Sequence, residues 1–129
     1  MLKSNRFFNV ETIPQYKILK YISEYFDDFE VDVQPASGDK SVVRFLDGSY
    51  FEVYYRNNKT YAEFYGIPFN IHTMEQLKIY RHIRDNFFDG AVHTEWLSGN
   101  KAKITDENGD TMTLICNGKN ITADFEGGE

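Results

Sequence analysis

The sequence predicts an α+β protein built by tandem duplication. Each copy is a β-α-β-β-β-β unit, a single helix packed on one face of an antiparallel meander sheet. Three observations predict this. The chain matches itself at an offset of 61 residues, with 17 identities over the 62 aligned pairs from 5/66 to 66/127; chance at ordinary composition gives about 4. Both copies carry an I-x-x-x-I-x-x-x-F stripe, Ile18/Ile22/Phe26 and Ile79/Ile83/Phe87, which is the spacing of one helix face. Both then carry four short β-type runs separated by turn residues at matched positions.

Each element follows in order. A short extended stretch opens each unit, Phe7–Val10 and Phe69–Ile71. Thr12-Ile-Pro-Gln15 and Thr73-Met-Glu-Gln76 then read as capping boxes, a Thr N-cap with Gln three residues on. Pro14 falls in the first helical turn, where its missing N–H is no loss. The stripes carry the helices to about Asp28 and Phe88. The first hairpin turns at Ser37-Gly38-Asp39 and Ser98-Gly99-Asn100, the second at Asp47-Gly48 and Asn108-Gly109. The third is read as Asn57-Asn58-Lys59 matching Asn117-Gly118-Lys119. Such short loops force antiparallel neighbours. The units are expected at 5–65 and 66–126. The junction Gly66-Ile67-Pro68 is no flexible linker, so the two should pack together as one compact body.

In its topology this unit resembles the helix-on-curved-sheet architectures of cystatins, of the halves of the TATA-binding protein, and of the tandem β-lactamase inhibitor protein. The resemblance lies in strand order alone, without any sequence motif of those families, and fold analogy does not carry function.

Bulk composition narrows the function classes. At 129 residues, 41% hydrophobic and 16% aromatic, the chain can bury a real core. No apolar run reads as a signal peptide or a membrane span, and a single cysteine, Cys116, excludes an internal disulfide or a multi-cysteine metal site. These features predict a cytoplasmic protein, with no membrane partner. The residue usage, rich in Asn, Lys, Ile, Tyr and Phe, suggests a bacterial or phage origin. Net charge is −6 and evenly spread: residues 5–65 carry 7 Lys/Arg and 10 Asp/Glu, residues 66–126 carry 6 and 9. With no basic stripe, a nucleic-acid partner is disfavoured.

Duplicated units must both keep a core, so their differences are the place to look for binding. Val43, Phe51, Val53, Ala62 and Phe64 align with Ile104, Met112, Leu114, Ala123 and Phe125, an apolar set expected to face the helix. The opposite face of unit one carries Val42, Arg44 and Leu46, then Tyr50, Glu52, Tyr54 and Arg56, then Tyr61, Glu63 and Tyr65. In unit two the same positions read Lys103, Thr105, Glu107, Thr111, Thr113, Ile115, Asn117, Thr122, Asp124 and Glu126. One outer face is therefore Tyr/Arg, the other Thr/acid. Arg44, Tyr50, Tyr54, Arg56, Tyr61 and Tyr65 form the candidate partner-binding set, because tyrosine and arginine give large contact area and polar tips. Two plainer readings compete: cross-strand ladders stabilise an exposed sheet with no partner, and the face could close an internal or homo-oligomeric interface.

Catalytic chemistry is not visible. There is no nucleotide loop, no G-x-S-x-G and no HExxH. His93 and Glu95 share a strand face but lack a third ligand; His82 reads as a surface or boundary residue, and His72 directly precedes the Thr73 cap, where unit one has Glu11. Cys116 aligns with Tyr55 on the inward face, as a buried inert thiol. The recurring Asp28/Asp89 reads as a turn residue, and Asn9/Asn70 as backbone-bonding groups. The expectation is a small soluble non-catalytic protein-binding module, of the inhibitor or immunity type, without cofactor or metal. The alternatives are a nucleic-acid-binding saddle and a structural subunit of a larger assembly.

Overall fold

A computed structural model describes residues 10–64 and 71–125. The chain divides after residue 70 into two compact units. Unit one runs α1 (Ile13–Ser23), β1 (Val31–Ser37), β2 (Lys40–Phe45), β3 (Tyr50–Arg56) and β4 (Lys59–Phe64). Unit two repeats the order with α2 (Met74–Asn86), β5 (Val92–Ser98), β6 (Lys101–Asp106), β7 (Thr111–Asn117) and β8 (Asn120–Phe125). The architecture is α+β: each unit has one helix and one four-stranded sheet, β1-β2-β3-β4 and β5-β6-β7-β8, antiparallel throughout. The pairing repeats at the offset of 61. Val43 faces Phe51 as Ile104 faces Met112, and the irregularity between Pro35 and Ser37 recurs between Trp96 and Ser98. This repetition is consistent with a two-half duplication.

The helix starts are built alike. Thr12 and Thr73 are N-caps with extended backbone, and their hydroxyls accept from the Gln15 and Gln76 amides at 3.1 and 3.0 Å. The glutamine side chains reach one residue further back than a standard capping box. Gln15 Oε1 accepts from the Glu11 amide at 2.8 Å, and Gln76 Oε1 from the His72 amide at 2.7 Å. Each cap hydroxyl also donates to the first hairpin, Thr12 to the Gly38 carbonyl and Thr73 to the Gly99 carbonyl. Three repeated identities (Thr, Gln, Gly) thus form a clamp between helix and hairpin. It satisfies amides that a helix start leaves open.

The helix ends correct the expectation. α1 stops at Ser23, not near Asp28, and α2 at Asn86. Beyond Ser23 the chain is acidic (Glu24, Asp27, Asp28), and carboxylates disfavour further helix at the negative end of the dipole. It enters a turn instead, where the Asp27 amide donates to Glu30 Oε1 at 2.7 Å and Glu30 N to the Asp27 carbonyl. Phe26 stays buried although it lies outside the helix. The opening strands fall mostly outside the described residues, and Val10 and Ile71 are not in strands. The third turn also needs correcting: its two residues are Asn57-Asn58 in unit one and Gly118-Lys119 in unit two, between the pairs Arg56/Lys59 and Asn117/Asn120. Asn57 and Asn58 both take positive φ, the backbone of a tight hairpin turn.

Ile18, Ile22 and Phe26 pack over β2, β3 and β4 against Val43, Phe51 and Val53, all at most 3% exposed. In unit two Ile79 and Ile83 meet Ala102, Ile104, Leu114 and Cys116, with Phe87, Val92, Trp96, Met112 and Ile121 around them. Two differences stand out. α2 also buries Met74, Leu77 and Tyr80, where α1 carries Ile13 and Tyr16 exposed. And α2 packs chiefly on β6 and β7, so Ala123 and Phe125, expected beneath the helix, are exposed on the edge strand β8.

Candidate protein-interaction face

The outer face of unit one's sheet is fixed by register. On β3 it presents Tyr50, Glu52, Tyr54 and Arg56. Opposite these lie Arg44, Val42 and Lys40 on β2, and Glu63, Tyr61 and Lys59 on β4. Asp32 and Gln34 of β1 continue it beyond Arg44 and Val42. Alternation sends Val31, Val33, Val43, Phe45, Phe51 and Val53 into the core, so the hydrophobic set that builds the unit also aims this face away from α1.

Tyr54 is its centre. Its ring stacks on Tyr61, directly across the strand pair, with centroids 5.4 Å apart and planes 15° from parallel. Lys40 Nζ lies 5.7 Å from the ring centroid from the β2 side, and the Arg56 guanidinium carbon 4.7 Å from it. The Tyr54 hydroxyl donates to Glu52 Oε1 at 2.5 Å, and Lys40 Nζ stands 3.7 Å from the same oxygen. Arg56 Nε in turn lies 3.4 Å from Asp39 Oδ2, whose other oxygen accepts from the Ser37 hydroxyl at 2.9 Å. The Ser37 hydrogen bond, with Arg56 beside it, holds the Asp39 carboxyl below its ordinary range. At the other end of the face the Arg44 guanidinium sits 5.3 Å from the Tyr50 ring. These cation–ring contacts set the side-chain directions. Tyr50 and Tyr61 remain 36% and 37% exposed, and Leu46, at the adjoining hairpin tip, 81%.

Five candidate residues, Arg44, Tyr50, Tyr54, Arg56 and Tyr61, therefore share one face; Tyr65 lies outside the described residues. Lys40 and Asp39 were absent from the sequence-derived set. Counting the register back from the Asp47-Gly48 hairpin places Lys40 across from Tyr54 and would have found it. The face carries four cations (Lys40, Arg44, Arg56, Lys59) and four carboxylates (Asp32, Asp39, Glu52, Glu63), balanced in charge on a chain of net −6.

The equivalent face of unit two has Lys103, Thr113 and Asp124 in one row, with Thr105 opposite Thr111 and Ile115 opposite Thr122. His93 and Glu95 are both exposed on β5, and His93 lines an open hollow of about 310 Å³ with Thr105 and Glu107. Among the described residues no group of three or more His, Cys, Asp or Glu could hold a metal ion. Cys116 is buried, and burial pushes its thiol up to about 11. Among the described residues no helix is long and apolar enough to cross a membrane.

Comparison with family models, with curated proteins and with solved structures finds no match.

Proposed function

We propose that the protein is a small non-catalytic binding module that grips a partner protein through the Tyr/Arg face of unit one. The observation that carries this is the asymmetry between the units. The same fold keeps its outer sheet face in threonine, lysine and acid in unit two, so folding does not require the tyrosines and arginines of unit one. Stacked Tyr54 and Tyr61, braced by Lys40 and Arg56, form a rigid aromatic platform that loses little rotamer entropy on contact. Charges of both signs around it call for a partner of mixed complementary charge, and the overall −6 favours approach to a basic one. An inhibitor or immunity-type role fits a compact, acidic, duplicated binder.

The test is Tyr54→Ala, Tyr61→Ala and Arg56→Glu combined, with affinity capture from lysate of the source cell. The expected outcome is a folded protein that loses its captured partner. Undiminished capture by the folded variant would remove this face as the site. A gel shift against single-stranded and duplex oligonucleotides at low salt, where phosphate contacts are strongest, is expected to show no binding.

A further inference from the structure

We propose that unit two holds a second binding site, a cleft that takes an aromatic side chain flanked by a lysine or arginine on a partner protein. The cleft lies where the two cores diverge. In unit one Phe26, Phe45, Phe51 and Phe64 form a continuous run of rings, with successive centroids 5.3, 5.9 and 5.4 Å apart. Phe45 is 5% exposed and Phe51 fully buried. The same four positions in unit two are Phe87, Asp106, Met112 and Phe125. Two rings have gone, and the described residues leave the space open. A cleft of about 180 Å³ remains, with Phe87, Val92, Met112 and Phe125 as its apolar lining and Asp106 and Asp110 as its acidic side. Phe125, on the edge strand, is 63% exposed.

Size, polarity and charge agree on the occupant. Apolar cavities of about 150 Å³ accept a benzene-sized ring. Unit one supplies the precedent within the chain, since its own Phe45 fills the corresponding place. Asp106 Oδ1 accepts from the amides of Asn108 and Asp110, neutral donors that leave the negative charge standing beside the cleft. A cation next to the entering ring meets that charge. This site is on the other unit from the Tyr/Arg face, and its fate is independent of the function proposed above.

The experiment is amide NMR on the full chain, titrated with the capped dipeptides acetyl-Phe-Lys-amide and acetyl-Phe-Glu-amide. The lysine peptide is expected to produce saturable shifts at residues 87, 92, 106–112 and 125, and the glutamate peptide to bind about tenfold more weakly. Asp106→Phe, which returns the ring that fills this place in unit one, should weaken the lysine peptide by about tenfold or more. Should that variant fold poorly, Asp106→Asn with Asp110→Asn should erase the discrimination between the peptides. The proposal is overturned if neither peptide binds saturably, if both bind equally, or if closing the cleft leaves binding unchanged. It is also overturned if the same amides move with protein concentration alone, which would give the cleft to a second copy of the chain.

Discussion

Ser41 and Thr94 each bury a hydroxyl that has no hydrogen-bond partner among the described residues. The duplication supplies the remedy for both. Unit two has Ala102 where unit one has Ser41, and unit one has Val33 where unit two has Thr94; Ala102 and Val33 are buried. Ser41→Ala and Thr94→Val should each raise stability by about 1 kcal/mol, because a buried polar group without a partner costs its desolvation. Urea titration measures it; a loss of stability in both variants would mean the hydroxyls are satisfied. Sequence alone did not expose these two, since a serine or threonine in a strand is unremarkable until its surroundings are known. Cys116 was legible, as its alignment with inward-facing Tyr55 predicts burial. With its thiol at about 11 against an ordinary 9.0, the folded state keeps a proton that the unfolded state releases. Stability should therefore fall as pH rises from about 9 towards 11, with nothing lost below. At pH 8 native protein should react with a disulfide reagent far more slowly than urea-unfolded protein, and equal rates would contradict the burial.

The clamp at each helix start is an element that both units keep. Gln15 and Gln76 are buried and reach back to the amides of Glu11 and His72, while the cap threonines hold the first hairpin. Gln76→Ala should cost about 1–2 kcal/mol, more than an exposed glutamine would, by emptying a buried side-chain site and leaving the His72 amide without its acceptor. Thr73→Ala should cost a similar amount by losing the cap and the tie to Gly99. Thermal unfolding checks both; changes within experimental error would show that the clamp bears no weight. The Thr-x-x-Gln spacing made the cap readable, but not the backward reach by one residue or the tie to a hairpin 26 positions away, because those are tertiary. Helix starts were legible for this reason, while α1's end was not. The apolar stripe continues to Phe26 after the helix has stopped, so side-chain periodicity outlasted the backbone that usually causes it. Hairpin positions were readable from Asp-Gly and Asn-Gly. The third turn slipped by one residue because matching Asn57 to Asn117 by residue type departs from the offset of 61, which, like the strand register, pairs Asn57-Asn58 with Gly118-Lys119.

Across the whole molecule, two units of one plan carry different outer faces, and this difference is the ground for the function proposed. The repeat made the faces assignable from sequence: alternation put Arg44, Tyr50, Tyr54, Arg56 and Tyr61 together, and the register agrees. The cleft beside Asp106 was not foreseen. Phe125 aligns with Phe64, and only the placement of α2 over β6 and β7 leaves it uncovered. The same asymmetry supplies the most direct measurement. Arg44→Thr, Tyr50→Thr, Tyr54→Ile, Arg56→Asn and Tyr61→Thr together give unit one, at these five positions, the residues that unit two already carries. Circular dichroism and thermal unfolding report the fold, and capture from source-cell lysate reports the partner. The account predicts a variant with wild-type secondary structure and no captured partner. A folded variant that captures the same protein as strongly as the wild type would contradict it.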